Sequence, residues 1–339
     1  ESLCAKCRDQ AGRQSMFNAL EHVAQIGARE HWLVGTMDVD VLSPLVLLGQ
    51  GGFGAVIMGQ FRNSPVAIKV PKVTATRSDP SLIASFCNEI RLLRRVRHSH
   101  IVALHGAAID PSCGELALIF EYVEGKSMSD FVQQVHHHWT SGRPEVAITK
   151  TLVDVCSALV YLHAAEPAIV HGDLKSSNIK VVLNEGGIAH AKLLDFGLSR
   201  ILTGRSRPLG GTLPWMAPEV FARSAARPSP SADVYSFGLL VHFAATGVHP
   251  QASHDAVRLH DRFSRLAWPP SSRMPEQAQA LCEACVQHQR ERRIRMSDAM
   301  QALLGWVEVI GATFDETGHA LAVLCSSVCG WEAGMLELR

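Results

Sequence analysis

A glycine-rich segment is the first part of the sequence whose residue types suggest chemistry. Gly49, Gly51 and Gly54 follow the spacing G-x-G-x-x-G within the run GQGGFGAV. Glycines let a backbone approach a ligand closely enough for its N–H groups to reach phosphate oxygens. Dinucleotide-binding folds share this spacing but open a helix directly after the glycines, whereas here the strand formers AVIMGQF follow. The segment therefore predicts a loop that caps a β-hairpin, and an ordinary glycine-rich hairpin remains the alternative on this segment alone.

A lysine in an apolar strand provides a candidate cation for such phosphates. In the run VAIK, strand alternation places Ala67 and Lys69 on one face, where a small residue beside a cation suits a flat adenine ring near phosphates. Because an unpaired buried ammonium is costly, Lys69 needs a counter-charge. Glu89, which lies twenty residues further on in a predicted helix, is the candidate partner. The alternative is a lysine at a strand edge whose stem reaches water.

Four segments further along the chain point to a family. They are VHGDLKSSN over residues 170–178, DFG over 195–197 and APE over 217–219, and a D-x-x-x-x-G segment starts at Asp233. Each motif alone can occur by chance. In this order, and together with the glycine segment, VAIK and Glu89, the set resembles the eukaryotic protein kinase family over about residues 41–304.

The resemblance implies roles for five catalytic residues. Asp173 is implied to accept the proton of the substrate hydroxyl, and Lys175 is implied to lie beside the transferred phosphoryl group. Thr212 is implied to support both directly, and Lys69 with Glu89 completes the set. The physical logic agrees, because phosphoryl transfer needs positioning and charge neutralisation more than covalent chemistry.

ATP and Mg²⁺ are the ligands that the resemblance implies. Asn178 and Asp195 are the implied metal ligands. The residues implied to bind the nucleotide and its metal ion are Gly49, Gln50, Gly51, Gly52, Phe53, Gly54, Val56, Ala67, Lys69, Phe120, Glu121, Val123, Asn178, Lys180 and Asp195.

The resemblance also implies two structural pairings outside this set. Asp233 is expected to brace the catalytic loop, which is the segment over residues 170–178. Glu219 is expected to pair with an arginine near the end of the domain, with Arg293 preferred over the adjacent Arg292.

Two segments indicate a subgroup and a substrate class. Lys175 in DLKSSN resembles Ser/Thr kinases, and GTLPWMAPE over residues 211–219 resembles the tyrosine-kinase-like group, whose members mostly phosphorylate Ser and Thr. The sequence is thus interpreted as an ATP-dependent kinase of Ser/Thr hydroxyls in protein substrates, acting in intracellular signalling. A non-catalytic scaffold with a kinase fold, and a tyrosine or dual-specificity kinase, are the alternatives. The scaffold is disfavoured because the residues that such scaffolds usually lack are present here, namely Lys69, Asp173, Asn178 and Asp195.

Gly172 departs from the family pattern at a control site. It replaces the arginine that usually precedes the catalytic aspartate and binds a phosphate on the activation segment. Ser199, Thr203 and Ser206 lie in the activation segment, between the DFG and APE motifs. We expect that activity does not require a phosphate on any of them, because Gly172 cannot bind it.

Two residues predict particular properties of the adenine pocket. Lys180 stands where an apolar residue often forms the pocket floor, and its methylene stem suits that role while its ammonium reaches outward. Phe120 guards the rear of the pocket, and its bulky ring predicts a closed rear compartment.

The elements that must position these residues divide into two lobes of an α+β, bilobal protein kinase fold. A strand-rich segment over residues 41–124 predicts a small antiparallel sheet with one main helix, and a helix-rich segment follows over 125–304. Residues 1–40 predict an N-terminal helical extension, and residues 305–339 form a C-terminal extension of unknown role. Helices are predicted over 12–32, 80–96, 127–138, 146–164, 231–246, 252–266, 275–288 and 296–310, with a strand pair at IKVVL and HAKLLDF.

Composition excludes several other classes of protein. Apolar residues make up 47% and charged residues 19%, so most of the chain is not intrinsically disordered. Lys+Arg and Asp+Glu both number 32, so no global basic field indicates a nucleic-acid partner. No run approaches 18 consecutive apolar residues, which argues against a membrane span. Nine cysteines, an odd number spread over a long chain, favour a reducing, cytoplasmic location.

Overall fold

The computed structural model describes residues 5–51, 54–71, 80–139, 143–184, 188–202, 210–221, 229–250 and 266–312. The chain divides into two compact units. Unit 1 comprises Glu1–Val123 with Phe196–Ser199, and unit 2 comprises Glu124–Asp195 with Arg200–Arg339. The division after Val123 falls inside the stretch where the sequence changes from strand-rich to helix-rich.

Unit 1 is built on a sheet of seven strands. Their order is β1-β6-β7-β5-β4-β2, and β3 pairs with β4 beside this path. Strand β1 runs parallel to β6, and the other pairings of the sheet are antiparallel. The strands are β1 (Leu33–Val34), β2 (Val39–Val41), β3 (Leu47–Gln50), β4 (Gly54–Phe61), β5 (Ser64–Pro71), β6 (Leu104–Asp110) and β7 (Glu115–Glu121).

Alternation along β5 separates the core of unit 1 from its functional face. Val66 and Ile68 are buried and pack with Ile57 and Ile119. Lys69 projects from the opposite face, because successive strand residues point to opposite sides of a sheet. The alternation that the run VAIK predicts is thus confirmed.

Two helices and a short 3₁₀ turn complete the described part of unit 1. Helix α1 (Ala5–Arg29) precedes β1, and a 3₁₀ turn (Thr36–Asp38) leads into β2. Helix α2 (Pro80–Leu93) begins at the proline that the sequence predicts as its start. Strands β1 and β2 were not predicted, because two or three residues are too few to show a period.

Unit 2 is mostly helical in its described part. Its helices are α3 (Met128–His137), α4 (Pro144–Ala164), α5 (Pro218–Phe221), α6 (Pro230–Thr246), α7 (Pro275–Cys285) and α8 (Met296–Ala312). Three 3₁₀ turns cover Ser176–Asn178, Leu213–Trp215 and Arg290–Arg292. The helix predicted over 252–266 lies almost wholly outside the described residues.

Two small sheets accompany these helices. One has the order β11-β10-β8, and the other pairs β12 with β9. The predicted strand pair IKVVL and HAKLLDF is confirmed as β10 and β11. The strands are β8 (Lys126–Ser127), β9 (Ile169–Val170), β10 (Ile179–Leu183), β11 (Ala189–Leu193) and β12 (Arg200–Ile201).

Helices α4 and α6 form the interior of unit 2. Nearly every residue of α6 from Ala232 to Thr246 is buried. Helix α4 is long and apolar enough to pass for a membrane span, but 78% of its most apolar window is buried inside the protein. A helix that is apolar all round and covered by protein is typical of the core of a large domain.

Helix α8 runs past the predicted end of the kinase-like region. It continues through residue 304 to Ala312, and Trp306 and Val307 are buried. No structural break therefore falls at residue 304, because this helix face is still packing into unit 2 beyond it.

Candidate active site

Strand β5 and helix α2 bring a lysine and a glutamate together in unit 1. Lys69 Nζ lies 2.9 Å from Glu89 Oε1 and 3.0 Å from Oε2, so the ammonium donates to both carboxylate oxygens. The side chains of Lys69 and Glu89 are 16% and 4% exposed. The pairing predicted from the sequence is confirmed, and the lysine keeps enough exposure to meet a ligand. Its catalytic role remains a prediction.

Strands β3 and β4, which flank the glycine segment, pair in antiparallel fashion, as the predicted hairpin requires. A Cβ added at Gly49 or Gly51 would meet nothing within 4 Å, so open space surrounds both glycines. Gly54 has φ of +153°, and a Cβ there would lie 1.9 Å from the carbonyl oxygen of Val70. Gly54 is thus required by close backbone packing against β5. Gly52 and Phe53 lie outside the described residues.

The other nucleotide residues predicted in unit 1 lie on neighbouring strands. Val56 pairs with Lys69 across β4 and β5, and Ala67 pairs with Phe120 across β5 and β7. Phe120 is buried, as its predicted role at the rear of a pocket requires. The set also includes Gln50, which ends β3.

The end of β7 is fixed by hydrogen bonds from Glu121. Its backbone N–H donates to the carbonyl of Ala103 at 3.0 Å, and its Oε1 accepts from the Ala103 N–H at 2.8 Å. These two bonds hold the chain where it leaves the sheet toward Val123, the last residue before unit 2.

In unit 2, Asp173 is the centre of a hydrogen-bonded network. Lys175 Nζ donates to Asp173 Oδ2 at 2.6 Å and to Thr212 Oγ1 at 2.8 Å, and Thr212 donates to Asp173 Oδ1 at 2.7 Å. The three groups form a closed ring of hydrogen bonds. The predicted support of Lys175 and Asp173 by Thr212 is therefore confirmed as geometry.

Asn178 is oriented by the same aspartate. Its Nδ2 donates to the carbonyl oxygen of Asp173 at 2.9 Å and to Asp173 Oδ2 at 3.2 Å. Both bonds use the nitrogen, so the amide oxygen Oδ1 remains as the group that can ligate a cation.

A backbone hydrogen bond holds the residue before Asp195 next to Asn178. The N–H of Leu194 donates to the carbonyl of Asn178 at 2.8 Å, which anchors the residue before Asp195 to the catalytic loop. Asp195 itself has φ of +55°, an uncommon conformation that non-glycine residues adopt mainly at functional sites and turns. The position of this carboxylate is thus set by a constrained backbone.

The donor atoms of Asn178 and Asp195 fit a hard cation. Magnesium prefers oxygen ligands, usually takes one or two carboxylates and completes its shell with water and substrate phosphates. One carboxylate and one amide oxygen match this requirement. Within the described residues there is no group of three or more His, Cys, Asp or Glu side chains suited to a metal ion. The residues therefore fit a metal held jointly with phosphate oxygens.

Asp233 of α6 braces the catalytic loop from below. Its Oδ2 accepts the N–H of His171 at 2.8 Å, and its Oδ1 accepts the N–H of Gly172 at 2.9 Å. His163 Nε2 lies 2.9 Å from Oδ2. Complete burial opposes ionisation of Asp233, but its contacts with His163, His171 and Gly172 outweigh burial and lower its pKa below the ordinary value. The brace that the sequence predicts is confirmed, and it is a carboxylate at neutral pH.

Gly172, the residue that replaces the usual arginine, has φ of +79°. This left-handed conformation suits glycine, which has no Cβ to clash with the backbone. The loop therefore combines a backbone N–H tied to Asp233 with a residue that contributes no cation.

A buried arginine closes another predicted pair. Arg293 Nη1 and Nη2 lie 2.7 and 2.8 Å from the two carboxylate oxygens of Glu219, a bidentate geometry. The Arg293 side chain is 0% exposed, and its guanidinium also lies over the ring of Tyr235 at 5.0 Å. Arg293 is thus confirmed as the partner of Glu219, the choice that the sequence preferred over Arg292.

Lys180 directs its ammonium away from the strand that carries it. Its Nζ donates to the carbonyl of Gly125 at 3.0 Å. Gly125 has φ of +93°, and a Cβ there would lie 2.2 Å from the carbonyl oxygen of Val181. The ammonium therefore ties β10 to the first residues of unit 2, and the role of the Lys180 stem at the pocket floor remains a prediction.

Sequence reasoning missed two polar contacts beside these sites. In unit 1, Asn88 Nδ2 donates to the carbonyl of Ser199 at 3.0 Å, which ties α2 to the short segment after Asp195. No pattern in the sequence links two residues 111 positions apart. In unit 2, Lys150 and Asp154 form a fully buried pair at 2.5 Å. Opposite charges four residues apart in an apolar helix were a usable signal for this pair.

Comparison with known proteins adds an independent observation. A sequence model of the family described as "Protein kinase domain" matches residues 42–304. A stretch of 250 residues, 70% of this chain, is 34% identical to mitogen-activated protein kinase kinase kinase 10 of Homo sapiens and covers 25% of that protein. A stretch of 214 residues, 60% of this chain, is 36% identical to U-box domain-containing protein 70 of Oryza sativa subsp. japonica and covers 24% of it.

A third relative carries a more specific name. The chain is 31% identical over 217 residues, 63% of its length, to the probable serine/threonine-protein kinase drkA of Dictyostelium discoideum, of which it covers 31%. This chain therefore spans only about a quarter to a third of these relatives. The family resemblance and the α+β kinase fold are confirmed: the chain belongs to the protein kinase family.

Proposed function

We propose that this chain transfers the γ-phosphoryl group of ATP to Ser and Thr hydroxyls of protein substrates. The observation that carries the proposal is the closed network of Asp173, Lys175 and Thr212, with Asn178 held against the same carboxylate. Residues 173–178 thus supply a carboxylate, a cation and an oriented amide oxygen, and Thr212 joins them from a separate segment.

The network suits a base that must be aimed rather than chemically strong. Both oxygens of Asp173 already accept hydrogen bonds, so the carboxylate cannot rotate freely. A substrate hydroxyl placed against this carboxylate donates its proton there as its oxygen bonds to phosphorus and the bond to the ADP oxygen breaks. Lys175, 20% exposed, is available to stabilise charge on the transferred group.

The remaining groups suit the rest of the nucleotide. Asn178 and Asp195 supply oxygen atoms for Mg²⁺, which when bound neutralises charge between the phosphates. Lys69, aimed by Glu89, supplies a cation for the phosphates. The open space on the Cα side of Gly49 and Gly51 leaves room for a ligand beside this part of the chain.

Ser/Thr specificity is supported by the residues and by the relatives. Lys175 stands two residues after Asp173, in the DLKSSN pattern that resembles Ser/Thr kinases. The name of the relative drkA specifies a serine/threonine-protein kinase. We extend this proposal to a signalling role in the cytoplasm, which the free cysteines among the described residues support.

The decisive experiment compares wild type with Asp173→Asn, using labelled ATP, Mg²⁺ and an array of Ser-, Thr- and Tyr-containing peptides. Loss of a positioned base is expected to lower kcat by about 10²- to 10⁴-fold. Asp298→Asn is a matched control, because Asp298 is an exposed aspartate in the first turn of α8. The proposal fails if wild type labels no hydroxyl, or if the two variants have equal activity. Label on Tyr alone would replace Ser/Thr specificity by Tyr specificity.

A nucleotide-binding scaffold without catalysis is the second candidate to test. A rise in melting temperature with ATP and Mg²⁺, in a chain that labels no peptide and does not label itself, would favour the scaffold over the enzyme.

A further inference from the structure

The segment between α1 and β2 lies outside the residues that match the kinase family, yet it is part of the unit 1 sheet. The family match begins at residue 42. Strand β1 nevertheless pairs with β6, with Leu33 opposite Ala107 and Val34 opposite Ala108. The carbonyl of Trp32 also accepts the N–H of Ala107 at 2.9 Å. Residues Gly27–Val34 are called the N-terminal brace below.

Two glycines allow the brace to fit closely. A Cβ added at Gly106 of β6 would lie 2.6 Å from the Trp32 carbonyl oxygen and 2.6 Å from Val34 Cγ2, so a side chain there excludes the brace. A Cβ added at Gly27 would lie 2.9 Å from the Trp32 ring. Trp32 is only 7% exposed, so its indole is packed between α1 and the sheet edge.

The brace reaches the end of helix α2 through a polar chain. Trp32 Nε1 donates to Glu30 Oε2 at 3.1 Å, and the same oxygen forms an ion pair with Arg94. Arg94 follows α2 directly, and its N–H donates to the carbonyl of Ile90 at 3.0 Å, continuing the helical pattern. The indole orients Glu30, and Glu30 holds the last turn of α2.

Helix α2 carries both groups that organise the lysine site. Glu89 bonds Lys69, and the neighbouring Asn88 bonds the carbonyl of Ser199. These side chains lie about one and a half turns before Arg94, so a shift of the helix end moves both. The position of α2 is therefore the quantity on which the geometry at Lys69 depends.

We infer that the N-terminal brace positions α2 for catalysis, with Trp32, Glu30 and Arg94 as positioning residues remote from the reacting atoms. The inference rests on the proposed kinase activity for its functional consequence. Its structural part, the hold on α2, does not depend on that activity. The two parts are tested by separate measurements on the full chain.

The first measurement is amide hydrogen exchange over α2 by mass spectrometry. Arg94→Gln removes the charge that Glu30 binds, and Trp32→Phe removes the indole donor while keeping an aromatic ring. Both are expected to raise exchange in α2 by about two- to fivefold, the range of a partly exposed ion pair. Arg95→Gln is the matched control, because Arg95 is an exposed arginine beside Arg94. Equal exchange in Arg94→Gln and Arg95→Gln would overturn the inference.

The second measurement separates kcat from KM for ATP. Arg94→Gln should raise KM for ATP and lower kcat by about two- to fivefold, while Arg95→Gln matches wild type. The double variant Glu30→Arg, Arg94→Glu restores an ion pair and should recover part of the loss, because an arginine at position 30 cannot accept the hydrogen bond of Trp32 Nε1. Absence of recovery, with exchange unchanged, would reduce these residues to ordinary surface charges. If wild type itself is inactive, the proposed function fails while the exchange result still decides the brace.

Gly106→Val gives the strongest perturbation. The added side chain collides with the Trp32 carbonyl and Val34, so the brace must leave the β6 edge. We expect at least about tenfold faster exchange in α2 and in β6. Should this variant fail to fold, the Arg94 and Trp32 variants still test the inference.

Discussion

The two lysine–carboxylate sites of this kinase are built in opposite ways. Lys69 and Glu89 lie twenty residues apart on a strand and a helix, and their bond exists only while α2 keeps its place. Lys175 and Asp173 lie two residues apart on one loop, and Thr212, Asn178 and the Asp233 brace hold them. The geometry of the first site depends on the placement of one helix, and the second site is fixed by several hydrogen bonds within unit 2. Control of activity is therefore expected in unit 1, and catalytic precision in unit 2.

Among variants that keep both Lys69 and Asp173, the largest effect is expected from breaking the pair of Lys69 and Glu89. Glu89→Gln removes the counter-charge of Lys69 and one of the two oxygens that accept from its ammonium. Because misplacement of a catalytic group by about 1 Å can cost 10²-fold, we expect kcat/KM to fall on the order of 100-fold. The measurement is steady-state kinetics with varied ATP. Glu115→Gln, on the exposed start of β7, is the control. A fall below threefold would contradict the importance of the pair.

A smaller effect is expected in the fixed network. Thr212→Val removes one hydroxyl, but Asp173 keeps its bonds from Lys175 and Asn178. The hydroxyl donates to Asp173 and accepts from Lys175, and because Lys175 still bonds Asp173 without it, we expect kcat to fall about tenfold. Thr212→Ser should recover most activity because it restores the hydroxyl. If Thr212→Val were more damaging than Glu89→Gln, the contrast between the two sites would be reversed.

A pH experiment examines His98, a partly buried histidine of unit 1. Burial, aided by His100, lowers the pKa of His98 from 6.5 to about 4. The unfolded chain therefore binds this proton more readily, and the His98 contribution to stability is complete above about pH 6.5 and is lost as pH falls toward 4. His98→Gln should flatten the decline of melting temperature between pH 6.5 and 4. An unchanged slope would contradict the burial of a neutral imidazole.

The smallest effect is expected from the activation segment. Ser199 is fully buried, and Gly172 provides no cation for a phosphate. The triple variant Ser199→Ala, Thr203→Ala, Ser206→Ala should keep activity within about twofold of wild type, since no phosphate is needed at this position. Thr203 and Ser206 lie outside the described residues. Loss of activity that acidic replacements restore would show that control is not confined to α2.

The sequence predicted which residues form the two sites. It predicted few of the contacts from distant segments that hold those residues in place. Alternation placed Ala67 and Lys69 on one face, and the need of Lys69 for a counter-charge pointed to Glu89 in the next predicted helix. The ring through Thr212 was expected only by resemblance, because no periodicity relates residues 37 positions apart. Asn88 and Ser199, or Trp32 and Ala107, meet through tertiary packing alone. Such contacts leave no local pattern in a single sequence.

Element boundaries show the same limit. Helices α2, α4 and α6 have strong apolar patterns and lie close to their predicted positions. Strands β1 and β2 escaped prediction because their pairing depends on the neighbouring strands β6 and β4. Gly106 allows the backbone of Trp32 to approach β6 closely, and this contact between two distant segments could not be predicted either. A glycine in a strand is only a general signal that another backbone approaches.

The parallel strand on β6 has a practical consequence for handling shortened versions of this protein. A chain that starts at residue 42, where the family match starts, lacks β1 and leaves the outer backbone groups of β6 unpaired. Exposed strand edges recruit strands from other molecules and promote aggregation. Such a shortened chain is expected to form soluble oligomers or precipitate, whereas a chain that keeps α1 and β1 has the part of this edge at Ala107 and Ala108 covered.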